Sequence, residues 1–107
     1  MNDLEKTWEK LINRLESQLN NELSLKGILY LIGLQELNMV EKDFSKEEKV
    51  DVLHVAVCKV LCPYGYYKFS GIDKDGWPHY EELKAIKCLS EKKQEKLIKT
   101  GIIKYLS

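Results

Sequence analysis

Three residues that could bind a metal ion follow one another at intervals of four in a segment with helical character. His54, Cys58 and Cys62 would project from neighbouring turns of one helical face. A remote His79, or in its place Cys88, would complete a nitrogen and sulfur ligand set of the kind that zinc prefers. The first three positions also form part of the apolar stripe of that helix, and zinc sites usually draw closely spaced ligand pairs from loops. We therefore expect core packing, with His54 as a buried neutral imidazole bonded to a neighbour, and keep zinc binding through these four residues as an alternative.

A cysteine nucleophile would need a thiolate beside a base in a partly open site. Cys58, with His54 one turn earlier, makes the only such local pair, and the sequence identifies neither a third orienting group nor an oxyanion donor. The odd number of cysteines, Cys58, Cys62 and Cys88, lacks disulfide-framework spacing and suits a reducing compartment. We expect three free thiols, no cofactor and no enzymatic activity.

The segment "GIDKDGWPHYEE" contains part of a calcium-loop pattern. Asp73, Asp75, Gly76 and Glu82 match its later positions, but Gly71 stands where the first carboxylate ligand belongs. We therefore expect a tight turn at "DKDG", which its own acidic side chains cap.

An aromatic, turn-rich insert at residues 63–89 is the most distinctive part of the chain. Within it "YYKFSGI" suits a strand, "DKDG" a tight turn and "WPHY" a returning edge strand that tolerates Pro78, which together predict a β-hairpin. A short helix that begins at Pro78 and runs through "HYEELKAIKC" is the competing interpretation. The sequence leaves residues 77–88 open between strand and helix.

Alternation along a hairpin sends some of these aromatic side chains inward and leaves others exposed. Exposed tyrosine and tryptophan are common anchors of protein interfaces. The leading hypothesis is a non-enzymatic protein–protein interaction module whose insert binds a protein partner, with a second copy of the chain as one candidate. The predicted partner-binding residues are Tyr64, Tyr66, Tyr67, Asp73, Asp75, Trp77, His79 and Tyr80.

Single-stranded nucleic-acid binding is a further alternative, because aromatic residues alternate with Lys68 and Lys74. Charge argues against it, since the chain has 17 basic and 17 acidic residues and no net field to attract phosphates. Nucleic acid is therefore not an expected partner.

Apolar residues recur at helical spacing in four segments. The first runs from Asn2 to about Asn20, the second follows a cap at Ser24, the third runs from Ser45 to the residue before Pro63, and the last begins after Ser90. The second and third are apolar around most of their circumference, so we place them at the centre. The glycines of the second, Gly27 and Gly33, indicate close approach of a neighbour.

These patterns predict a mainly α fold: a compact bundle of about four helices in one domain, residues 1–107, with a β-hairpin or irregular aromatic insert between the third and last helices. The charged start "MNDLEKTWEK" does not resemble a signal peptide, and the apolar run "GILYLIGL" is shorter than the ~20 residues of a membrane-spanning helix. We expect a cytoplasmic protein with no membrane partner.

The segments "VDVLHVAVCKVLCPYGYYKF" and "GIDKDGWPHY" resemble a family of short uncharacterised bacterial proteins with no assigned function. The resemblance covers most of the chain from about Leu23 onwards. It implies a small single-domain bacterial cytosolic protein, and no catalytic or binding residue comes with it.

Overall fold

Four α-helices and one β-hairpin make up the computed structural model, which describes residues 3–37 and 43–107. The helices are α1 (Asp3–Leu19), α2 (Leu25–Leu37), α3 (Lys46–Leu61) and α4 (Glu91–Tyr105). The strands are β1 (Tyr67–Ile72) and β2 (Pro78–Glu82), with short 3₁₀ turns at Cys62–Tyr64 and Ile86–Cys88. The predicted mainly α fold, with its hairpin between the third and last helices, is confirmed.

The helix starts follow the side-chain caps that the sequence predicts. Ser45 Oγ accepts the Glu48 N–H at 3.2 Å while Glu48 Oε1 accepts the Ser45 N–H at 2.9 Å, which completes the capping box of α3. Ser24 caps α2, and Ser90 caps α4. The predicted cap of α1, Asn2, lies outside the described residues, as does most of the linker after α2.

Helices α2 and α3 pack directly on each other at the centre of the core. A Cβ at Gly33 would overlap the Val52 carbonyl oxygen, so only glycine allows this approach. The predicted close approach is therefore confirmed at Gly33. It is wrong at Gly27, where an added Cβ would meet its nearest neighbour, Ser24 Oγ, at 3.4 Å.

Helices α1 and α4 cover one side of this pair. Trp8 of α1 and Ile102 of α4 are buried in the same apolar cluster. Lys99 lies across the helix boundary, with its Nζ 5.4 Å from the centre of the Trp8 ring and 3.6 Å from Glu5 Oε2. A largely apolar contact with a charged rim thus holds α4 on α1.

The hairpin forms an antiparallel pair with a tight turn and one bulge. At the turn, Gly76 donates its N–H to Asp73 O at 3.0 Å and takes a φ of +88°, a left-handed geometry that favours glycine. The register passes from Phe69 opposite Tyr80 to Gly71 opposite His79, which inserts one extra residue into β1. The hairpin prediction is confirmed, and the competing helix through "HYEELKAIKC" is wrong because residues 78–82 are a strand.

Across the two described ranges, no helix combines the length and the apolarity that crossing a lipid bilayer requires.

Candidate functional site

A cleft of about 420 Å³ separates the first half of α3 from β2 and the hairpin turn. We call it the α3–β2 cleft. Four of the predicted partner-binding residues, Asp73, Trp77, His79 and Tyr80, line it. The remaining lining residues are Pro78 and, from α3, Glu48, Asp51, His54 and Val55.

His54 is exposed at this cleft, so the prediction of a buried imidazole is wrong. Its Nε2 atom lies 3.4 Å from Cys58 Sγ, and its ring meets the Tyr67 ring edge to face with 6.1 Å between the centroids. The expected bond to a neighbour is therefore present. The imidazole covers the thiol on one side and presents its other side to solvent.

Cys58 itself is 0% exposed and free. Burial, with the nearby Cys62 and Glu82, raises the pKa of the Cys58 thiol to about 12. The group therefore stays protonated at neutral pH, and a protonated, enclosed thiol is a poor nucleophile. The sulfur acts as a small apolar filler of the core beside His54.

The predicted zinc ligands do not form a common site. Cys58 is buried inside the core and Cys62 is half-buried at the end of α3, whereas His54 and His79 are exposed. In the part of the chain that the structure describes, no group of three or more histidine, cysteine, aspartate or glutamate side chains is placed to hold a metal ion. The zinc alternative thus has no geometric support.

Asp73 organises the hairpin turn, as its place in "DKDG" predicts. Its Oδ1 accepts the N–H groups of Asp75 at 2.9 Å and of Trp77 at 3.0 Å, and its Oδ2 lies 2.8 Å from His79 Nε2. The bond from His79 and those from the Trp77 and Asp75 backbone lower the pKa of the Asp73 carboxyl below its ordinary value of 3.8. One carboxylate therefore joins the turn to the start of β2.

Most of the aromatic side chains of the insert pack inward. Tyr67 is 5% exposed and belongs to the main core, so its ring offers little area to a partner. Trp77 packs on Phe44 with 5.9 Å between ring centroids. Tyr80 is half-buried, and burial, with the charges of Cys62 and Glu36, raises its pKa to about 12. Tyr80 is thus a neutral phenol at physiological pH.

Tyr64 and Tyr66 are also half-buried and pack against the main core. The Lys84 ammonium group lies 5.5 Å from the centre of the Tyr66 ring. The polar members of the predicted set, Asp75 and His79, are exposed on the turn and on β2. The predicted set therefore divides into packed rings and exposed polar groups.

Two large apolar residues of β1 that lie outside the predicted partner-binding set are exposed, as is Leu83 just after β2. Phe69 is 51% exposed and Ile72 is 67% exposed. Their partners Tyr80 and Pro78 are two residues apart in β2, so Phe69 and Ile72 lie on the same face of the hairpin. Strand alternation by itself does not predict this pairing, because the bulge between them shifts the register by one residue.

Charge at the α3–β2 cleft is acidic. Glu48, Asp51 and Asp73 contribute carboxyl groups, and no lysine or arginine of the described residues lines it. Carboxylates repel phosphate, so this surface does not favour a nucleic-acid backbone.

Comparison with known proteins returns no match to a protein family, to a curated protein or to a solved structure. The resemblance to short bacterial proteins stays a prediction.

Proposed function

We propose that this chain is a non-enzymatic interaction module that binds a protein partner, a second copy of itself included, through the β-hairpin. The observation that supports it most directly is the hairpin patch, defined as Phe69 and Ile72, two large apolar side chains exposed side by side on one face. Neighbouring exposed apolar side chains are a common feature of protein-interaction surfaces.

The composition of the hairpin supports the same role. Phe69 stacks edge to face on Tyr80 at 5.6 Å between centroids, so a firmly packed ring backs the exposed one. A rigid apolar anchor loses little conformational entropy on binding. The rings that pack inward hold the hairpin on α3, and the patch is thereby presented in one orientation.

Catalysis has no comparable support. Cys58 is enclosed and protonated, and Asp73 is engaged by three hydrogen-bond donors of the hairpin itself. A single-stranded nucleic acid would meet carboxylates at the cleft beside the hairpin.

The test replaces both patch residues by threonine, which is β-branched and keeps strand propensity. A Phe69→Thr, Ile72→Thr double variant should lose association while it keeps the wild-type circular dichroism spectrum. If binding covers either side chain, its loss costs roughly 1.5–3 kcal/mol, or about tenfold or more in affinity. Association would be measured by light scattering over a concentration series for self-association, and by quantitative capture from a bacterial lysate for other partners.

Val50→Thr is the matched control, because Val50 is 63% exposed on α3, away from the hairpin. The control should behave as the wild type. Equal association of the folded double variant and of the wild type would refute the hairpin as the binding surface.

A further inference from the structure

The backbone of β2 has an open edge. Leu83 donates its N–H to Tyr66 O at 2.8 Å, which makes residues 66 and 83 a hydrogen-bonded pair of the antiparallel ladder. Hydrogen-bonded and non-bonded pairs alternate, so the pairs of Tyr67 with Glu82 and of Phe69 with Tyr80 are non-bonded. The N–H and C=O groups of Tyr80 and Glu82 therefore point away from β1.

No other strand covers these groups within the described ranges, since the sheet consists of β1 and β2 alone. Unpaired strand edges of this kind are templates for another strand. The opposite edge of the sheet is less free, because the Phe69 N–H faces the sulfur of Cys62. The hairpin thus has one edge that is better suited to pairing.

The α3–β2 cleft adjoins the first half of β2, at Pro78, His79 and Tyr80. It is lined by residues of β2 and of α3 but by no residue of β1. It also touches both His79 and Tyr80, whose side chains project to opposite faces of the strand. An exposed sheet edge is where an extended peptide adds as a further strand.

The charges along the cleft select the kind of peptide. Asp51 on α3 and Asp73 in the turn stand on its two sides, and Glu82 is exposed on the strand itself. Cationic side chains of an added strand would lie near these carboxylates, whereas acidic ones would be repelled.

We propose that an extended, lysine- or arginine-rich segment of a partner protein adds as a third strand to the outer edge of β2 and lies in the α3–β2 cleft. This inference rests on the proposed interaction function and names its partner chemistry. Main-chain bonds to Tyr80 and Glu82 supply the attachment, and the carboxylates supply the preference for positive charge.

The first experiment uses a blocked hexapeptide of alternating lysine and valine, with the glutamate–valine peptide as its counterpart. Amide hydrogen exchange followed by NMR should show that the lysine peptide slows exchange at Tyr80 and Glu82. Glu81 is the internal reference, because it already pairs with Lys68 inside the hairpin and should change little. The glutamate peptide should leave all three amides unchanged.

Backbone methylation tests whether strand pairing is the mode of binding. A lysine–valine peptide methylated on every amide has no N–H left to donate to β2, so it should not bind, whereas the unmethylated peptide should. Equal binding of the methylated and the unmethylated peptide would overturn strand addition.

A charge variant tests the cleft. Asp51→Asn should lower the affinity for the lysine peptide by between about 1.5- and 5-fold, which is the contribution expected of an exposed ion pair. Glu95→Gln on α4, also exposed, removes the same net charge away from the cleft and should leave the affinity unchanged. Equal weakening by both variants would overturn the assignment of the cleft.

The two proposals fail separately. Absence of protection at Tyr80 and Glu82 with millimolar lysine peptide would overturn the third-strand proposal, even if the Phe69 and Ile72 variant loses association. In that case, the loss of association in the Phe69 and Ile72 variant would still support the hairpin as the binding surface.

Discussion

Replacing Gly33 by alanine should force α2 and α3 apart and destabilise the protein. An added Cβ would lie 2.6 Å from Val52 Cγ1 and 3.0 Å from the Val52 carbonyl carbon, and it would overlap the carbonyl oxygen. Ordinary contacts between carbon atoms are about 3.5–4.0 Å, so the helices must separate by up to roughly 1 Å. The contact involves main-chain atoms of α3, which cannot rotate away as a side-chain tip can.

Two opposing terms set the size of the effect. Overpacking of this kind costs about 1–3 kcal/mol, and overlap with a backbone carbonyl places Gly33→Ala towards the upper end. Alanine in place of glycine recovers about 1 kcal/mol of helix propensity. We therefore expect a net loss of about 1–2 kcal/mol in the free energy of unfolding.

Gly27→Ala is the matched control in the same helix. An added Cβ there would meet Ser24 Oγ at 3.4 Å and Leu23 Cδ2 at 3.7 Å, which are contacts that the chain can accept. This variant keeps the propensity gain without the overlap, so it should be more stable than the wild type by up to about 1 kcal/mol.

The assay is urea denaturation followed by circular dichroism at a wavelength sensitive to helix content. The free energies of unfolding of the two variants should differ by about 2 kcal/mol, with similar m values. This corresponds to a difference of roughly 8 °C or more in Tm. Gly33→Ala with stability equal to or above that of the wild type would refute the close contact between α2 and α3.

Two further measurements address the site. A thiol reagent at neutral pH should modify exposed Cys88 rapidly and buried Cys58 only as fast as the protein unfolds; rapid native-state labelling of Cys58 would contradict the enclosed thiol. The lowered pKa of Asp73 means that its stabilisation of the turn is present above the ordinary value of 3.8 and is lost as the pH falls further. The amide-proton shifts of Asp75 and Trp77 should then titrate together with a midpoint below 3.8, and a midpoint at or above that value would contradict the bonds to the carboxylate.

Helix boundaries follow from local chemistry. The caps at Ser45 and Ser90 involve residues within four positions of each other, and α1 ends at Asn20, whose left-handed φ of +55° belongs to the backbone of that one residue. Tight turns are equally local, as the bonds of Asp73 to the N–H groups of Asp75 and Trp77 demonstrate. Such features can be predicted because no distant residue takes part in them.

Burial at His54 could not be predicted in the same way. His54 and Cys58 share one helical face, and periodicity assigns both to the same stripe. Cys58 is nevertheless 0% exposed while His54 is open to solvent. The difference arises because the hairpin and α4 cover the end of α3 that carries Cys58 and leave the cleft open beside His54.

The amino-acid sequence by itself determined the four helices, the caps of α2, α3 and α4, and the turn, since each depends on contacts between near neighbours in the chain. The tertiary structure alone decided that Asp51 of α3 and Asp73 line one cleft beside β2, and that Phe69 and Ile72, on the same face of the hairpin, stay exposed. These features depend on how two distant segments pack and on a one-residue shift in strand register, and no spacing of residue types encodes either.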